Sequence, residues 1–383
     1  MRKKIAFIST CWADNPYRAK NNKYGGVSYY RLVKPMELLG KEYDCTFYGA
    51  DIKDAQAGMN DDEFYSWLTW EYDMIVVKQI DNASASQILL HYAKENGCIL
   101  VQDYDDNMLK VREDQPAYKM GYNPGGTRWA YAASMMSLAD ALIVSTKPLK
   151  DYFFNFVKKN FREEKDIYIF PNYNDIKDWK KTKFEKNNEK IVIGWAGSVT
   201  HDSDLKMVMS ALGKILDEYD NVYLELLGGI MQGSLANLTQ SFSPKAKDKV
   251  KVIFGTPAWD SYPKLMLSQM WDIGIAPLMN DEFNVSKSHI KWMEYTMMGI
   301  PTIASDVYPY SKNIPEGAGI LCKDNEWEEK LSLLIEDKEK RHEIYSNARD
   351  YVEKELQWKQ HKKDYLEIVA SIFKKHNKRQ GEI

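Results

Sequence analysis

The sequence predicts an α/β protein made of two doubly wound domains that face a cleft, with a helical segment at the C-terminus. Three observations lead to this fold class. Short apolar, β-prone runs alternate with helical patterns along most of the chain. The length of 383 residues is too great for one ordinary core. A polar stretch without apolar periodicity, residues 174–189, separates two parts of similar architecture.

The predicted strands fall into two sets, one on each side of the polar stretch. The first set comprises KIAFIS, YDCTFYG, DMIVVK, CILVQD, ALIVS and IYIFPN. The second set comprises KIVIGWAG, VYLELLGG, VKVIFG, DIGIAPL, PTIAS and GILC. Several of these runs are continuously apolar, which is typical of strands buried on both faces of a parallel sheet. Intervening segments such as VSYYRLVKPMELLG and SASQILLHYAKEN have the apolar spacing of helices.

These patterns predict a first domain at residues 1–173, a linker at 174–189 and a second domain at 190–350. The remaining residues, 351–383, belong to an almost wholly helical stretch that we expect to cross back to the first domain. From Trp358 to Ile383 this tail carries seven Lys and Arg against three Asp and Glu, a balance of +4. Such a tail fits either a solvated helix or peripheral contact with an acidic membrane surface.

Overall composition argues against several classes of protein. The formal net charge of −3 gives no general case for a nucleic-acid binder. The cysteines are scattered without a CxxC pair, which favours a reducing, cytoplasmic compartment; they are Cys11, Cys45, Cys98 and Cys322. No run approaches the roughly 18–20 apolar residues that a membrane span requires. The basic start, MRKKIAFISTCWADN, predicts a first strand rather than a signal peptide.

The stretch NVSKSHIKWMEYTMMGIPTIAS, residues 284–305, combines charge with a helical period. Wound as a helix, it places Lys287, Lys291 and Glu294 within roughly 60° of one another, away from a stripe of Ile290, Met293 and Met297. Two lysines beside a helix N-terminus, where the backbone already favours an anion, suggest a phosphate site. The alternative is a solvated face with an i,i+3 pair between lysine and glutamate.

Two features of the first half also suggest contacts with a ligand. Tyr24-Gly25-Gly26 precedes a predicted helix, and such a turn lets backbone N–H groups approach a phosphate or sugar. An ordinary turn is the alternative. The strand CILVQD runs into Asp103-Tyr104-Asp105-Asp106. Carboxylates at the end of a strand position hydroxyl groups, bind metal or cap the following helix.

An ordered set of motifs in the second half closely resembles the donor domain of GT-B glycosyltransferases. The motifs are GWAGSVTHDSDL, ELLGG, DIGIAPL, KSHIKWMEYTMMGIP, TIASDVYPY and GAGILC, from about Lys190 to Trp358. The most similar branch is the large retaining family that uses nucleotide sugars, the glycosyl transferases group 1. The first half resembles it more weakly, at YGGVSYYRLVKPMELLG, QDYDDN, ADALIVST and IFPNYND. The resemblance implies two Rossmann-like domains facing a cleft.

The resemblance also implies roles for individual residues. The glutamate in the position of Glu294 holds the nucleotide ribose, while Lys287 and Lys291 neutralise the diphosphate and support turnover. Donor-binding positions implied with them are Gly25, Gly26, Gly197, Ser198, His201, Thr256, Ser286, Ser288 and Ser305. His201 either contacts the donor or caps a local helix. No bound metal or other cofactor is implied.

Several positions depart from the family pattern. Ser286 stands where the first glutamate of the family's Glu-x7-Glu motif is usual. Gly197-Ser198-Val199, with His201 and Lys206 nearby, stands where the family has a Gly-Arg-Leu context. The first domain lacks the usual catalytic-region histidine, and we take Asp103 or Asp106 as its substitute.

The leading hypothesis is therefore a glycosyltransferase that moves a sugar from a UDP- or GDP-sugar to a hydroxyl acceptor with retention. The acceptor is expected to be a surface glycan precursor, and the enzyme to be cytoplasmic or peripheral at the inner membrane face. One alternative is transfer to a hydroxymethylated base in DNA, which the net charge of −3 does not favour. Another is a catalytically inactive module that binds nucleotide sugars.

Overall fold

The computed structural model describes residues 2–9, 24–49, 58–78, 83–179, 189–228, 234–255 and 258–381. Two separate six-stranded sheets form the centres of two domains. Each of the quoted apolar runs contains one strand, and every pairing within the sheets is parallel. The predicted α/β fold class of two doubly wound domains is confirmed.

The first sheet has the strand order β2-β1-β3-β4-β5-β6. Its strands are β1 Lys4–Ser9, β2 Asp44–Tyr48, β3 Met74–Lys78, β4 Ile99–Tyr104, β5 Ala141–Val144 and β6 Ile167–Ile169. β1, β3, β4 and β5 are buried throughout their central residues, as expected for strands covered by helices on both faces.

The second sheet has the order β12-β11-β10-β7-β8-β9. Its strands are β7 Ile191–Gly197, β8 Val222–Gly228, β9 Val250–Phe254, β10 Ile273–Ala276, β11 Thr302–Ser305 and β12 Ile320–Cys322. In both sheets the strand order reverses near the first strand of the domain. Ligands of open α/β sheets bind at such a reversal, outside the carboxyl ends of the strands.

Helices cover both faces of each sheet. Those of the first domain are α1 Gly26–Ser28, α2 Lys34–Leu39, α3 Asp61–Glu71, α4 Ala83–Asn96, α5 Thr127–Leu138 and α6 Lys147–Phe161. Those that follow are α7 Asp202–Glu218, α8 Ser234–Leu238, α9 Pro244–Lys247, α10 Tyr262–Ser268, α11 Ile290–Met298, α12 Tyr310–Asn313, α13 Trp327–Glu336, α14 Lys338–Glu355 and α15 Lys362–Gly381. No helix in these ranges is both long and apolar enough to cross a bilayer.

A π-helical segment, Tyr29–Val33, joins α1 to α2 and carries a fully buried arginine. The Arg31 guanidinium donates from Nε and Nη2 to the two carboxylate oxygens of Asp103, both at 2.8 Å. Its Nη1 donates to the Phe170 carbonyl at 2.7 Å and to Asn172 Oδ1 at 2.9 Å. This bidentate geometry with satisfied donors is what allows an ion pair to persist in a core. It ties the helical segment to the ends of β4 and β6.

The chain crosses between the domains twice, and the two crossings are hydrogen-bonded to each other. The Asn174 N–H donates to the Leu356 carbonyl at 2.8 Å, and its carbonyl accepts from the Trp358 N–H at 3.1 Å. Beyond this point α15 lies on the first domain, where Tyr365 packs against Phe170 with ring centroids 4.5 Å apart.

Two lysines of the basic tail form ion pairs with the first domain. Lys362 pairs with Glu42 at 3.1 Å, and Lys375 pairs with Asp166. A share of the tail's positive charge is therefore neutralised within the chain, which favours the reading of a solvated structural helix over a membrane-binding surface.

Loss of one partner of the Arg31–Asp103 pair should destabilise the fold strongly. Asp103→Asn and Arg31→Met should each lower the free energy of unfolding by about 3–5 kcal/mol, because each leaves a buried group without its partner. The double variant should lose less than the sum of the two. Urea unfolding followed by circular dichroism measures all three. A change below about 1 kcal/mol in both single variants would contradict a structural role for this pair.

Candidate active site

A cavity of about 390 Å³ lies between the two domains, at the carboxyl ends of the central strands. The first domain contributes the turn before α1, the π-helical segment and the loop after β4. The second contributes the ends of β7 and β8 and the segment leading into α11. The lining residues are Gly25, Gly26, Val27, Tyr30, Asp105, Asp106, Ala196, Gly197, Ser198, Thr200, His201, Leu227, Gly228, Gly255, Trp259, Tyr262, Leu278, Lys287, Ser288, Ile290, Lys291, Glu294 and Tyr310.

The floor of the cavity depends on two adjacent glycines at strand ends. Gly197 and Gly228 are paired in register where β7 and β8 finish. Gly228 has φ +123°, and a Cβ on it would lie 2.0 Å from the Gly197 carbonyl oxygen. A Cβ on Gly197 would meet the Trp195 ring at 2.4 Å. Both positions therefore need glycine, and the backbone is left open to a ligand.

The segment KSHIK departs from the helix predicted for it. α11 begins at Ile290 and ends before Gly299, whereas Lys287 has ψ 163° and lies in extended chain. The prediction of one helix running through Lys287 was therefore wrong at its start. Lys287, Lys291 and Glu294 nevertheless line the same cavity, because the extended residues lead directly into the first turn of α11.

The apolar stripe of the segment divides between two environments. Met293 and Met297 are buried in the core of the second domain, as predicted. Ile290 instead lines the cavity. The alternative of a solvated charged face does not hold, since Glu294 is 6% exposed.

Two lysines give the cavity its positive charge. Lys287 Nζ lies 3.1 Å from Asp106 Oδ1 and 4.6 Å from the centre of the Phe283 ring. Lys291 Nζ donates to the Ala196 carbonyl at 2.9 Å. Burial, and then the charge of Lys287, lower the pKa of Lys291 to about 8. An anion bound beside both lysines would stabilise their charged forms.

Glu294 is held by hydroxyl groups from both domains. Tyr30 Oη donates to Oε1 at 3.0 Å, and Tyr262 Oη donates to Oε2 at 2.8 Å. Burial raises the pKa of Glu294 to about 7, although the two tyrosines and Lys291 act in the opposite direction. Each carboxylate oxygen keeps one further acceptor position for a ligand hydroxyl.

His201 stands at the N-terminus of α7 without capping it through its side chain. Its Nδ1 lies 2.7 Å from Asp204 Oδ2. Burial, followed by the charges of Lys291 and Lys287, lowers the pKa of His201 to about 3. The imidazole is therefore neutral at physiological pH, and it lines the cavity rather than serving as a cap.

The acidic cluster at the end of β4 is divided between the core and the cavity. Asp105 and Asp106 line the cavity, with Asp105 paired to Lys78 at 2.6 Å and Asp106 to Lys287. Asp103 does not, because Arg31 occupies both of its oxygens and it is 1% exposed. The assignment of Asp103 as a catalytic candidate is corrected accordingly. Asp105 was missed, although its position on the same cluster was visible in the sequence.

The other predicted donor-binding residues divide into three groups. Gly25, Gly26, Gly197, Ser198 and Ser288 line the cavity. Ser286 and Ser305 are buried beside it instead: the Ser286 carbonyl accepts from Thr146 Oγ1 at 2.8 Å, and Ser305 Oγ accepts from the Leu278 N–H at 2.9 Å. Thr256 lies outside the described residues.

Sequence reasoning missed the aromatic side of the cavity. Tyr30, Trp259 and Tyr262 line it, and Tyr29 stacks on Trp259 with ring centroids 3.7 Å apart. The aromatic content of 13% was the only signal in the sequence, and it does not identify which aromatic residues lie at the site. The described part of the chain contains no group of three or more His, Cys, Asp or Glu that could hold a metal ion.

Comparison with known proteins agrees with the fold. Residues 176–351 match the model of the family glycosyl transferases group 1. The second domain is therefore similar to that family, and the chain is a glycosyltransferase of the GT-B fold, as the motifs indicated. No curated protein matches the chain.

Solved structures show the same fold at low sequence identity. Anabaena HepE in complex with UDP-glucose is 15% identical with a TM-score of 0.64, covering 96% of this chain and 99% of its own. A glycosyltransferase from Rickettsia africae is 13% identical with a TM-score of 0.64, covering 97% and 99%. The pneumococcal O-GlcNAc transferase GtfA in complex with UDP and GlcNAc is 13% identical with a TM-score of 0.59, covering 82% and 61%.

The raised pKa of Glu294 predicts a pH-dependent stability. The carboxyl group binds its proton more tightly in the folded state, so its contribution is fully present below about pH 4.5 and is lost as pH rises to about 7. Relative to Glu294→Gln, the unfolding free energy of the wild type should fall by about 3 kcal/mol across this window. Urea unfolding of both proteins at half-unit pH intervals tests this. A difference that stays constant with pH would contradict a Glu294 pKa raised by burial.

Proposed function

We propose that this glycosyltransferase moves a sugar from a uridine diphosphate sugar to a hydroxyl group of a glycan, with retention of the anomeric configuration. One observation carries the proposal: the cavity places two lysines and one carboxylate on the 287–294 segment, at the strand ends where nucleotides bind. Cations for a diphosphate and an acceptor of two hydrogen bonds for a ribose diol are the groups such a donor requires.

The proposed donor assignment divides the cavity into subsites. Glu294 accepts hydrogen bonds from the two ribose hydroxyls, and Lys287 and Lys291 face the diphosphate. The glycine pair Gly197 and Gly228 lets the backbone approach the phosphates closely. Uridine is preferred to guanosine because HepE was solved with UDP-glucose and GtfA with UDP.

The proposed transfer step relies on positioning and charge stabilisation. As the bond between the sugar and the diphosphate breaks, negative charge grows on the leaving oxygen, which Lys287 and Lys291 stabilise. In a retaining transfer the departing diphosphate takes the proton of the acceptor hydroxyl. Asp106 then orients that hydroxyl, and Asp105 is held in place by Lys78 at 2.6 Å.

The alternatives receive less support from the described residues. Transfer to DNA calls for a continuous basic surface, whereas Lys362 and Lys375 of the tail are paired with acids of the first domain. An inactive binding module calls for loss of the charged groups, whereas Lys287, Lys291 and Asp106 converge on one cavity. We therefore interpret Ser286 and the absence of the family's first-domain histidine as differences within an active enzyme.

Nucleotide affinity should depend on the Glu294 carboxylate. Glu294→Gln should weaken the binding of UDP by about ten- to a hundredfold at pH 8, since hydrogen bonds to a charged acceptor contribute about 1.5–3 kcal/mol. Calorimetry with UDP and with GDP measures the loss and compares the two bases. Glu225→Gln is the control. Glu225 does not line the cavity and accepts a hydrogen bond from Trp271 Nε1 at 2.8 Å, so this variant should leave the affinity for UDP unchanged. Equal affinity in the Glu294 variant would remove the ribose assignment.

The anomeric outcome distinguishes a retaining from an inverting mechanism. With UDP-glucose as donor, the glucosyl product should keep the α configuration, read by proton NMR before it equilibrates. Asp106→Asn should lower turnover less than about tenfold, because orientation rather than proton removal is lost. A β product, with a loss of about 10²–10⁴ in turnover and intact UDP affinity in that variant, would instead make Asp106 the general base of an inverting enzyme.

A further inference from the structure

The carboxylate of Glu294 accepts a hydrogen bond from one tyrosine of each domain. Tyr262 belongs to α10 and Glu294 to α11, and both helices are part of the second domain. Tyr30 belongs to the π-helical segment of the first domain and reaches across the cleft. Since Tyr30 is 3% exposed, its hydroxyl has little access to water, and its hydrogen bond to Oε1 is correspondingly strong.

The Tyr30 hydroxyl has two neighbouring acceptors but a single proton. Its oxygen lies 3.0 Å from Glu294 Oε1 and 3.1 Å from the Asn174 side-chain oxygen. Among the described residues the Asn174 amide nitrogen has no hydrogen-bond partner. Turning this amide over resolves the competition for the single proton, because its N–H then donates to Tyr30, which donates to the carboxylate. The ionised form of Glu294 is thereby supported by a chain of two aligned hydrogen bonds.

Asn174 is a fixed anchor for this chain of hydrogen bonds. Its backbone bonds to Leu356 and Trp358 hold it where the polypeptide crosses between the domains. Tyr30 is equally fixed, since its neighbour Arg31 is locked to Asp103. The Tyr30 hydroxyl therefore reaches Glu294 only when the first domain lies against the second as it does here.

We propose that Tyr30 and Tyr262 are positioning residues that keep the Glu294 carboxylate ionised and aimed at the ribose, and that Tyr30 completes this subsite only when the domains are closed. The inference rests on the proposed role of Glu294 in binding the nucleotide ribose. It adds that the acceptor-side domain takes part in donor recognition through a single hydroxyl group.

The proposal follows from the balance of charges around the carboxylate. Burial favours the neutral acid, and the groups opposing it are few. The titratable groups that interact with Glu294 are Tyr30, Tyr262, Lys291, Tyr295 and Tyr310. Only the first two donate hydrogen bonds to it, and Lys291 donates instead to the Ala196 carbonyl. Removal of either hydroxyl should therefore shift the group toward its protonated form.

The test measures the Glu294 carboxyl group directly. In protein labelled with ¹³C at the glutamate carboxyl carbons, the Glu294 resonance is assigned by its loss in Glu294→Gln and titrated without ligand. In Tyr30→Phe and in Tyr262→Phe the midpoint should rise by about one pH unit or more, as a lost hydrogen bond to a charged group implies. On the acid limb of the pH profile, where UDP affinity falls as pH decreases, the midpoint should move to higher pH by the same amount.

Tyr29→Phe is the matched control. Tyr29 precedes Tyr30 in the same π-helical segment, is equally buried and bonds Asp178 rather than Glu294. Its variant should leave both the Glu294 midpoint and the acid limb unchanged. A merely structural role of the tyrosines would reduce UDP affinity equally at all pH values, without moving the limb.

The outcomes separate this inference from the proposed function. An unchanged Glu294 midpoint in both Tyr30→Phe and Tyr262→Phe overturns the positioning role, whatever happens to affinity. A raised midpoint with unaltered UDP affinity in Glu294→Gln removes the ribose assignment, and the positioning role falls with it. If one variant does not fold, the other decides the question alone.

Discussion

The buried ion pair between Arg31 and Asp103 is the constraint on which the geometry of the cleft depends. The two hydrogen bonds from Arg31 to Asp103 hold in place the helical segment that also carries Tyr30. Asp103 is followed two and three residues later by Asp105 and Asp106, which line the cavity. One interaction in the core thus fixes the position of the tyrosine that contacts Glu294 and of the carboxylates that face the lysines. Its desolvation cost is offset by the four hydrogen bonds that the guanidinium donates.

The charges of the cavity are arranged so that a nucleotide sugar can replace contacts that the protein now makes with itself. Lys287 is bound to Asp106 across the cleft, and Lys291 to a backbone carbonyl. In the proposed function, a diphosphate would offer both lysines a stronger partner, and the exchange would free Asp106 to orient an acceptor. The site is therefore organised before the donor arrives, which lowers the reorganisation that catalysis requires.

Much of the fold could be predicted because its signals are local. The apolar runs identify the strands, since strands buried on both faces consist largely of apolar residues. The segment from Lys287 to Glu294 could be predicted as a ligand site because charged residues cluster there before a glycine break. The extended conformation of Lys287 could not, because its ion pair with Asp106 is a contact between residues far apart in the chain, which the local sequence pattern does not show.

By itself, the sequence determined the fold class of two α/β domains, and it predicted a polar boundary at residues 174–189 and a ligand site on the segment that carries Lys287, Lys291 and Glu294. Only the tertiary structure decided which acids of the first domain face the cavity. Asp103 is buried in the core, whereas Asp105 and Asp106 line the cavity with the lysines. The tertiary structure also brought Tyr30 to Glu294, 264 positions away along the chain. The physical reason is that apolar periodicity acts within one element, whereas burial, ion pairing and the pKa of a carboxyl depend on groups that only packing brings together.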